Sequence, residues 1–429
     1  MMYALGVIVF LLGVAVSIAL HEVGHMWPAK RFGTKVTQFF VGFGRTVWSV
    51  RRGETEYGLK AIPLGGFVKI VGMLPPEPHA DPHELRATNT GLFTQMAADA
   101  RQVEYEHVTV EDEPRLFYCL PWWKKVIVMA GGPTVNLVIA TILFSISFMG
   151  FGVQMPATTV DQVVDCAIPD AEIGRTCTDA DPETPAVRAG LVPGDRITSF
   201  NGTAVTSWEQ LVDLIRDNGD RVAAIEYARG GATTTVEVNT SVLARVSLDD
   251  PGLTEPVGFL GVRPTFVTER QGPGFVVTEM GSMIARTGEA IIRLPERMVG
   301  VVGSIFGAER SDESPISVVG ASRVAGELVT YDDPTWAERT QRIIGLLAGL
   351  NLFLWLFNLL PLLPLDGGHI AGALWEGLRR RIARWRGKPD PGHVDVAKML
   401  PIAYAMGSVL ILMGVLLIVA DIVNPVTLL

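Results

Sequence analysis

Charge is scarce along this chain and in places absent. Asp, Glu, Lys and Arg together make up 19% of 429 residues, and Met1–Leu20, Val126–Val153, Ile343–Leu365 and Met399–Ala420 contain none. These uncharged runs of 20, 28, 23 and 22 residues are each long enough to cross a bilayer, which takes about 20 apolar residues. The first run also lacks a basic start, and ionisable residues of functional character follow it at once, which argues against a cleaved signal peptide. Cysteine is nearly missing: three residues form at most one pair, so a disulfide-stapled scaffold is excluded. No internal repeat stands out, which argues against the paired half-structures of many transporters. With a net charge of −9, no nucleic-acid partner is expected.

What is present follows from those gaps. Apolar residues reach 48% and mean hydropathy is +0.31, so the expected class is a multi-pass α-helical membrane protein with four transmembrane helices. Their expected spans are 1–27, 125–153, 343–365 and 399–422. Between Pro28 and Lys125 lie 13 Lys/Arg, several of them (Lys30, Arg31, Lys35, Lys124, Lys125) beside the helix ends. Gln154–Arg342 instead has no lysine, 16 arginines and 28 acidic residues. The connection over 366–398 contains "RRRIARWRGK", Arg379–Lys388. Basic residues beside helix ends stay cytoplasmic. The first and third connections are therefore expected inside, and the long acidic one outside together with both termini. Cys166 and Cys177 share the outer connection, where an oxidising compartment would permit a disulfide. Two free thiols are the alternative. Cys119 lies on the inner side.

The inner connection (28–124) starts with "FFVGFGRTVWSVRRGETEYGLKAIPLGGFVKIVGM", whose β-branched residues, aromatics and glycines predict a hairpin over about 39–73. Its apolar character implies association with the membrane. Stranded backbone is tolerated there only where protein or a water-filled cavity satisfies its amides. A polar excursion follows over about 75–114, and its histidines (His79, His83, His107) have no ligand spacing.

The outer connection predicts a compact α+β domain over 158–264. In "AVRAGLVPGDRITSFNGTAVTSWEQLVDLIRDNG" a short helix leads to a turn at Pro193-Gly194-Asp195, a strand, a hairpin at Asn201-Gly202 and an amphipathic helix from Trp208. This order, and the string AGLxxGDxIxxxNG, resemble a PDZ domain of the bacterial protease-associated type. "GFLGV", Gly258–Val262, is either its peptide-carboxylate loop or simply its last strand. Segment 265–342 then reads as a linker with an amphipathic helix over Gly281–Gly307, lying on the outer surface or packed beneath the domain.

The chemistry-bearing stretch is "SIALHEVGHMWPAK". On a helix His21 and His25 project from one face, so both imidazoles can reach one metal ion, and Glu22 is placed to take a proton from water. Zinc suits imidazole and carboxylate ligands. Ionisable residues at membrane depth are costly and usually functional. The bland alternative is two interfacial histidines at a helix end. A third ligand is needed, and Asp366 ends an uncharged run, with Gly367 and Gly368 permitting a sharp turn. Pro361 and Pro364 would break a regular helix and free backbone groups to bind an extended chain. His369 is a fourth ligand or, more simply, a flanking group.

Together these motifs resemble the site-2 protease family of intramembrane zinc metalloproteases, in its bacterial form with an extracytoplasmic PDZ domain. "HEVGH" resembles the first-helix motif, "NLLPLLPLDGG" the third-helix Asn-Pro-Asp-Gly motif and "GGPTVN" (Gly131–Asn136) the second-helix motif. "AIPLGGFVKIVGM" resembles the membrane-associated β-hairpin. The resemblance implies one Zn2+ per chain on His21, His25 and Asp366, with Glu22 as general base. It implies substrate-backbone contacts by Asn136, Asn358 and Pro361, and by the hairpin at Gly65 and Gly66. It further implies location in the bacterial cell membrane, with the site near the cytoplasmic face. The implied substrates are single-span proteins of the anti-sigma-factor type, already cut outside by another protease, with remnant signal peptides as a second class. The PDZ-like domain would filter substrates by size or bind peptide ends.

Two rivals are weighed against this. A transporter would use intramembrane His, Glu and Asp as a proton or metal path, but needs no glutamate directly after the first histidine. A membrane-anchored PDZ adaptor would tolerate loss of Glu22 or Asp366, and both are present.

Overall fold

The computed structural model describes residues 1–76, 99–102, 104, 108–169, 176–178, 180–247, 253–311 and 313–426. Much of the polar excursion, with His79, His83 and His107, lies outside the described residues.

The chain begins with α1 (Met2–Arg31), the hairpin strands β1 (Val36–Arg52) and β2 (Thr55–Ile70), and α2 (Trp122–Ser145), which continues as a π-helical turn to Phe151. Next come β3 (Val153–Val163), α3 (Pro185–Arg188), β4 (Arg196–Phe200), β5 (Thr203–Ala204), α4 (Trp208–Arg216), β6 (Val222–Arg229), β7 (Ala232–Asn239), β8 (Ser241–Val246), β9 (Thr254–Phe259) and β10 (Val262–Glu269). It closes with α5 (Pro273–Ile292), α6 (Leu294–Ile305), α7 (Val318–Leu328), α8 (Trp336–Asn358), α9 (Asp366–Trp385) and α10 (Leu400–Val423). Two compact units result, one of Met1–Phe151 with Gly272–Leu429 and one of Gly152–Gln271.

In the first unit, four helices are long and apolar enough to cross a membrane: Met2–Arg31, Trp122–Phe151, Trp336–Asn358 and Val396–Val423. Buried side chains knit them together. Phe10 and Val14 of α1 meet Ala325 of α7 and Ile343 of α8, and Ala140 and Phe144 of α2 meet Val276 and Met280 of α5 and Ala348 of α8. The run expected to be one helix over 343–365 is shifted: α8 starts at a Thr335/Glu338 capping box and stops at Asn358. Pro361 and Pro364 lack the amide hydrogens a continued helix would need, so Leu359–Leu365 turns tightly before α9. The amphipathic stretch over Gly281–Gly307 is likewise two helices, the second starting beside Pro295.

The hairpin folds back on itself. Phe39, Phe40 and Val41 of β1 pair with Val68, Phe67 and Gly66 on one side and with Tyr57, Gly58 and Leu59 on the other. The end of β2, Gly66–Ile70, is therefore an outer strand with one edge unpaired among the described residues.

The second unit is an antiparallel sheet in the order β10-β3-β4-β6-β7, with β5 beside β4 and a separate β8-β9 pair. Strand β6 alternates, burying Ala223, Ile225 and Tyr227 against Leu211 and Ile215 of α4. Ser207 caps α4, its hydroxyl accepting from the Gln210 amide. Asn201 and Gly202 both take positive φ in the β4–β5 turn, the requirement of a tight hairpin. Asp195 is fully buried and accepts two hydrogen bonds from the Arg229 guanidinium, at 2.7 and 2.8 Å, and a third from the Val192 amide. Cys166 and Cys177 are joined by a disulfide.

Candidate functional site

Three donor atoms meet where α1 faces the start of α9. His21 Nε2 and His25 Nε2 lie 3.2 Å apart, and Asp366 Oδ2 is 3.3 Å from each. Donors at about 2.0–2.1 Å around a tetrahedral ion stand about 3.3 Å from one another, so the triangle has the size of a zinc site. Asp366 Oδ2 is buried without a hydrogen-bond partner, the condition of an oxygen reserved for a cation. Among the described residues these three form the one His/Cys/Asp/Glu group able to hold a metal; His369 is outside it.

The surroundings set which nitrogen is free. His25 Nδ1 donates to the Val128 carbonyl at 2.9 Å, which leaves Nε2 with its lone pair. His21 Nδ1 lies 3.1 Å from Asn136 Nδ2. For His21 Nε2 to bind a cation its proton must sit on Nδ1, and Asn136 accepts it once its amide is turned over to bring Oδ1 to the ring. That orientation also gives Asn136 Oδ1 the partner it otherwise lacks in a buried site. The expected substrate-binding residue thus stands against a metal ligand.

Close helix approach makes the triangle possible. A Cβ added at Gly24 would stand 2.5 Å from the Gly131 carbonyl oxygen. One at Gly132 would stand 2.7 Å from His21 Nε2 and closer still to His25 Nε2. Small residues at such a crossing let two membrane helices touch backbone to backbone. The glycines after Asp366 have the same origin: a Cβ at Gly368 would stand 2.7 Å from the Leu363 amide nitrogen, where the turn wraps over the start of α9.

The triangle opens into a cleft of about 480 Å³. Glu22, Asn136, Asn358 and His369 line it, and so do Gly65 and Gly66 from the outer strand; Pro364 lines it but Pro361 does not. Gly66 lies against Glu22, since a Cβ there would be 3.1 Å from Glu22 Cγ. Pro361 instead lies in the turn after α8 and is exposed.

Sequence reasoning missed two supports. Gly24 and Gly132 entered only as parts of the HEVGH and GGPTVN motifs, without their packing role, and the Val128 carbonyl carried no signal. It also missed that α9 is braced from α2: Lys125 donates to Glu376 at 2.7 Å, with both side chains buried. Burial by itself raises the Glu376 carboxyl, but His393, Lys125 and Arg380 outweigh it and hold it at about 2.

Comparison with known proteins matches residues 9–390 to the family described as peptidase family M50. The chain is similar to "Zinc metalloprotease Rip1" of Mycobacterium tuberculosis, at 34% identity over 446 residues covering 100% of both chains. It is similar to "Zinc metalloprotease Rip1" of Mycolicibacterium smegmatis at 34% identity, covering 100% of this chain and 99% of that one. It is 24% identical to "Metalloprotease MmpA" of Caulobacter vibrioides over 88% of this chain and 87% of that one.

Proposed function

The chain belongs to peptidase family M50 and is a zinc metalloprotease, and we propose that it cuts single-span proteins within their transmembrane segments. The observation that carries this is the setting of the donor triangle: its two histidines sit on α1, a helix apolar enough to cross a membrane, in a cleft with an unpaired strand edge along one wall.

His21, His25 and Asp366 would hold the ion. Bound zinc supplies a Lewis acid that polarises the scissile carbonyl and acidifies water. Glu22 takes the proton from the attacking water and returns it to the leaving amide nitrogen. A helix hides its peptide bonds in its own hydrogen bonds, so the substrate must first extend. The edge at Gly66–Ile70, unpaired by any strand among the described residues, offers backbone groups to an extended chain, as in strand addition to a sheet edge, with the Val68 amide turned to Glu22. Glycines 65 and 66 let that chain come close to Glu22, and the Asn358 amide holds its backbone from the opposite wall.

The unit Gly152–Gln271 is read as a PDZ-like domain that filters substrates by size or binds their exposed ends. The substrate class is then a single-span protein of the anti-sigma-factor type, first shortened outside by another protease, with remnant signal peptides as a second class. The location is a bacterial cell membrane, with termini outside and the cut near the cytoplasmic face, as the distribution of Lys and Arg supports.

The test is cleavage of a single-span peptide by purified protein in detergent, with Glu22→Gln alongside. Cutting inside the span that is lost in Glu22→Gln and on chelation supports the reading. A variant that cuts as well as the parent overturns it.

A further inference from the structure

The second half of α9 has an apolar face and a basic end that the catalytic reading leaves unused. Leu374, Trp375, Leu378, Ile382 and Trp385 are exposed, and at 100° per residue they share one narrow arc. The opposite face carries Asp366, Ala373 and Glu376 into the protein. Arg381, Arg384, Arg386 and Lys388 are exposed at the end of this helix and just beyond it, and make no ion pair among the described residues. The nearby carboxylates are taken, Glu376 by Lys125 and Arg380, and Asp390 by Arg380.

The depth of this helix is also fixed. Gly377 lies against Trp122, the first residue of membrane helix α2, since a Cβ there would be 2.6 Å from the indole. Trp27, Trp122 and Trp123 are exposed at the ends of α1 and α2 that lead into the basic connection. Such a belt of tryptophans marks a membrane–water boundary.

We propose that the C-terminal half of α9 lies in that boundary as an anchor for anionic phospholipid headgroups. Its Leu374–Trp385 stripe enters the acyl region, and Arg381, Arg384, Arg386 and Lys388 bind lipid phosphates. A basic amphipathic helix with tryptophan on its apolar face is the form such anchors take. The same helix begins with Asp366, and the Glu376–Lys125 pair holds it against α2.

The test uses the full chain in bilayers doped with brominated lipid. The tryptophan signal lost in Trp385→Phe should be quenched more strongly, by about twofold or better, by brominated phosphatidylglycerol than by brominated phosphatidylcholine. Combined Arg381→Gln, Arg384→Gln, Arg386→Gln and Lys388→Gln should remove the preference while bound zinc stays at one per chain. Equal quenching by both lipids overturns the proposal, and so does a preference that survives the four substitutions.

Discussion

Gly132 and His25 touch: the glycine Cα faces the imidazole so closely that any Cβ would overlap Nε2, the atom aimed at the metal. Gly132→Ala must therefore push α2 away from α1 or turn both histidines. Equilibrium dialysis with zinc should show at least about a tenfold loss of affinity, comparable to loss of a ligand's orienting partner. The same change at Gly349, where a Cβ meets open space, should leave zinc unaffected.

The ligands and the base separate by what each removes. His21→Ala and Asp366→Ala should lose zinc, measured by atomic absorption of the purified protein. Glu22→Gln should keep it, because Glu22 is not in the donor triangle. Its cleavage rate should nevertheless fall by roughly 10²–10⁴, the range for loss of a general base. Zinc retained in both ligand variants would refute the assignment.

Asn136 distinguishes two roles. With its amide turned so that Oδ1 accepts from His21 Nδ1–H, it acts through the metal ligand, so Asn136→Leu should weaken zinc binding by about 10–100-fold. Asn136→Asp, which keeps an accepting oxygen, should restore most of that affinity. A substrate-holding role would instead raise KM in both variants and leave zinc affinity alone.

Local patterns were legible wherever one element carried them. His21, Glu22 and His25 lie within a single helix, and Asp366 stood out as a charge at the edge of an uncharged run, so the donor set could be read in one dimension. The turn at Asn201-Gly202 and the alternation of β6 were equally readable. What could not be read depends on pairing between distant segments. The Val128 carbonyl reaches His25 only because two glycine-lined helices cross. Lys125 meets Glu376 across 251 positions. The stop of α8 at Asn358 was half legible: Pro361 and Pro364 announced a break, but the uncharged run to Leu365 placed the helix end too late. Asn136 was placed by resemblance on the substrate, and its contact with His21 is visible only in three dimensions.

The disulfide supplies a check on the second unit. Cys166 and Cys177 should resist a thiol-specific reagent until the protein is reduced, whereas exposed Cys119 should react without reduction. The bond closes a separation of 11 residues, so its removal should cost about 2–3 kcal/mol of stability in that unit. Immediate labelling of all three cysteines would contradict the bond.

Acid should loosen the second unit through Asp195. The Arg229 guanidinium, helped by the Val192 amide, holds this buried carboxyl below its ordinary value near 4. A carboxyl depressed in the folded state binds fewer protons there than in the unfolded chain. Its contribution is therefore complete above about pH 4 and is lost as pH falls through the folded value. Hydrogen exchange of the full chain, corrected for intrinsic rates, should show β4 and β6 losing protection below pH 4. In Asp195→Asn the protection should be lower already at pH 7, because the guanidinium loses its charged acceptor, and this part of the pH dependence should vanish. A parent protein whose β4 and β6 keep full protection to pH 2.5 would remove Asp195 as the cause.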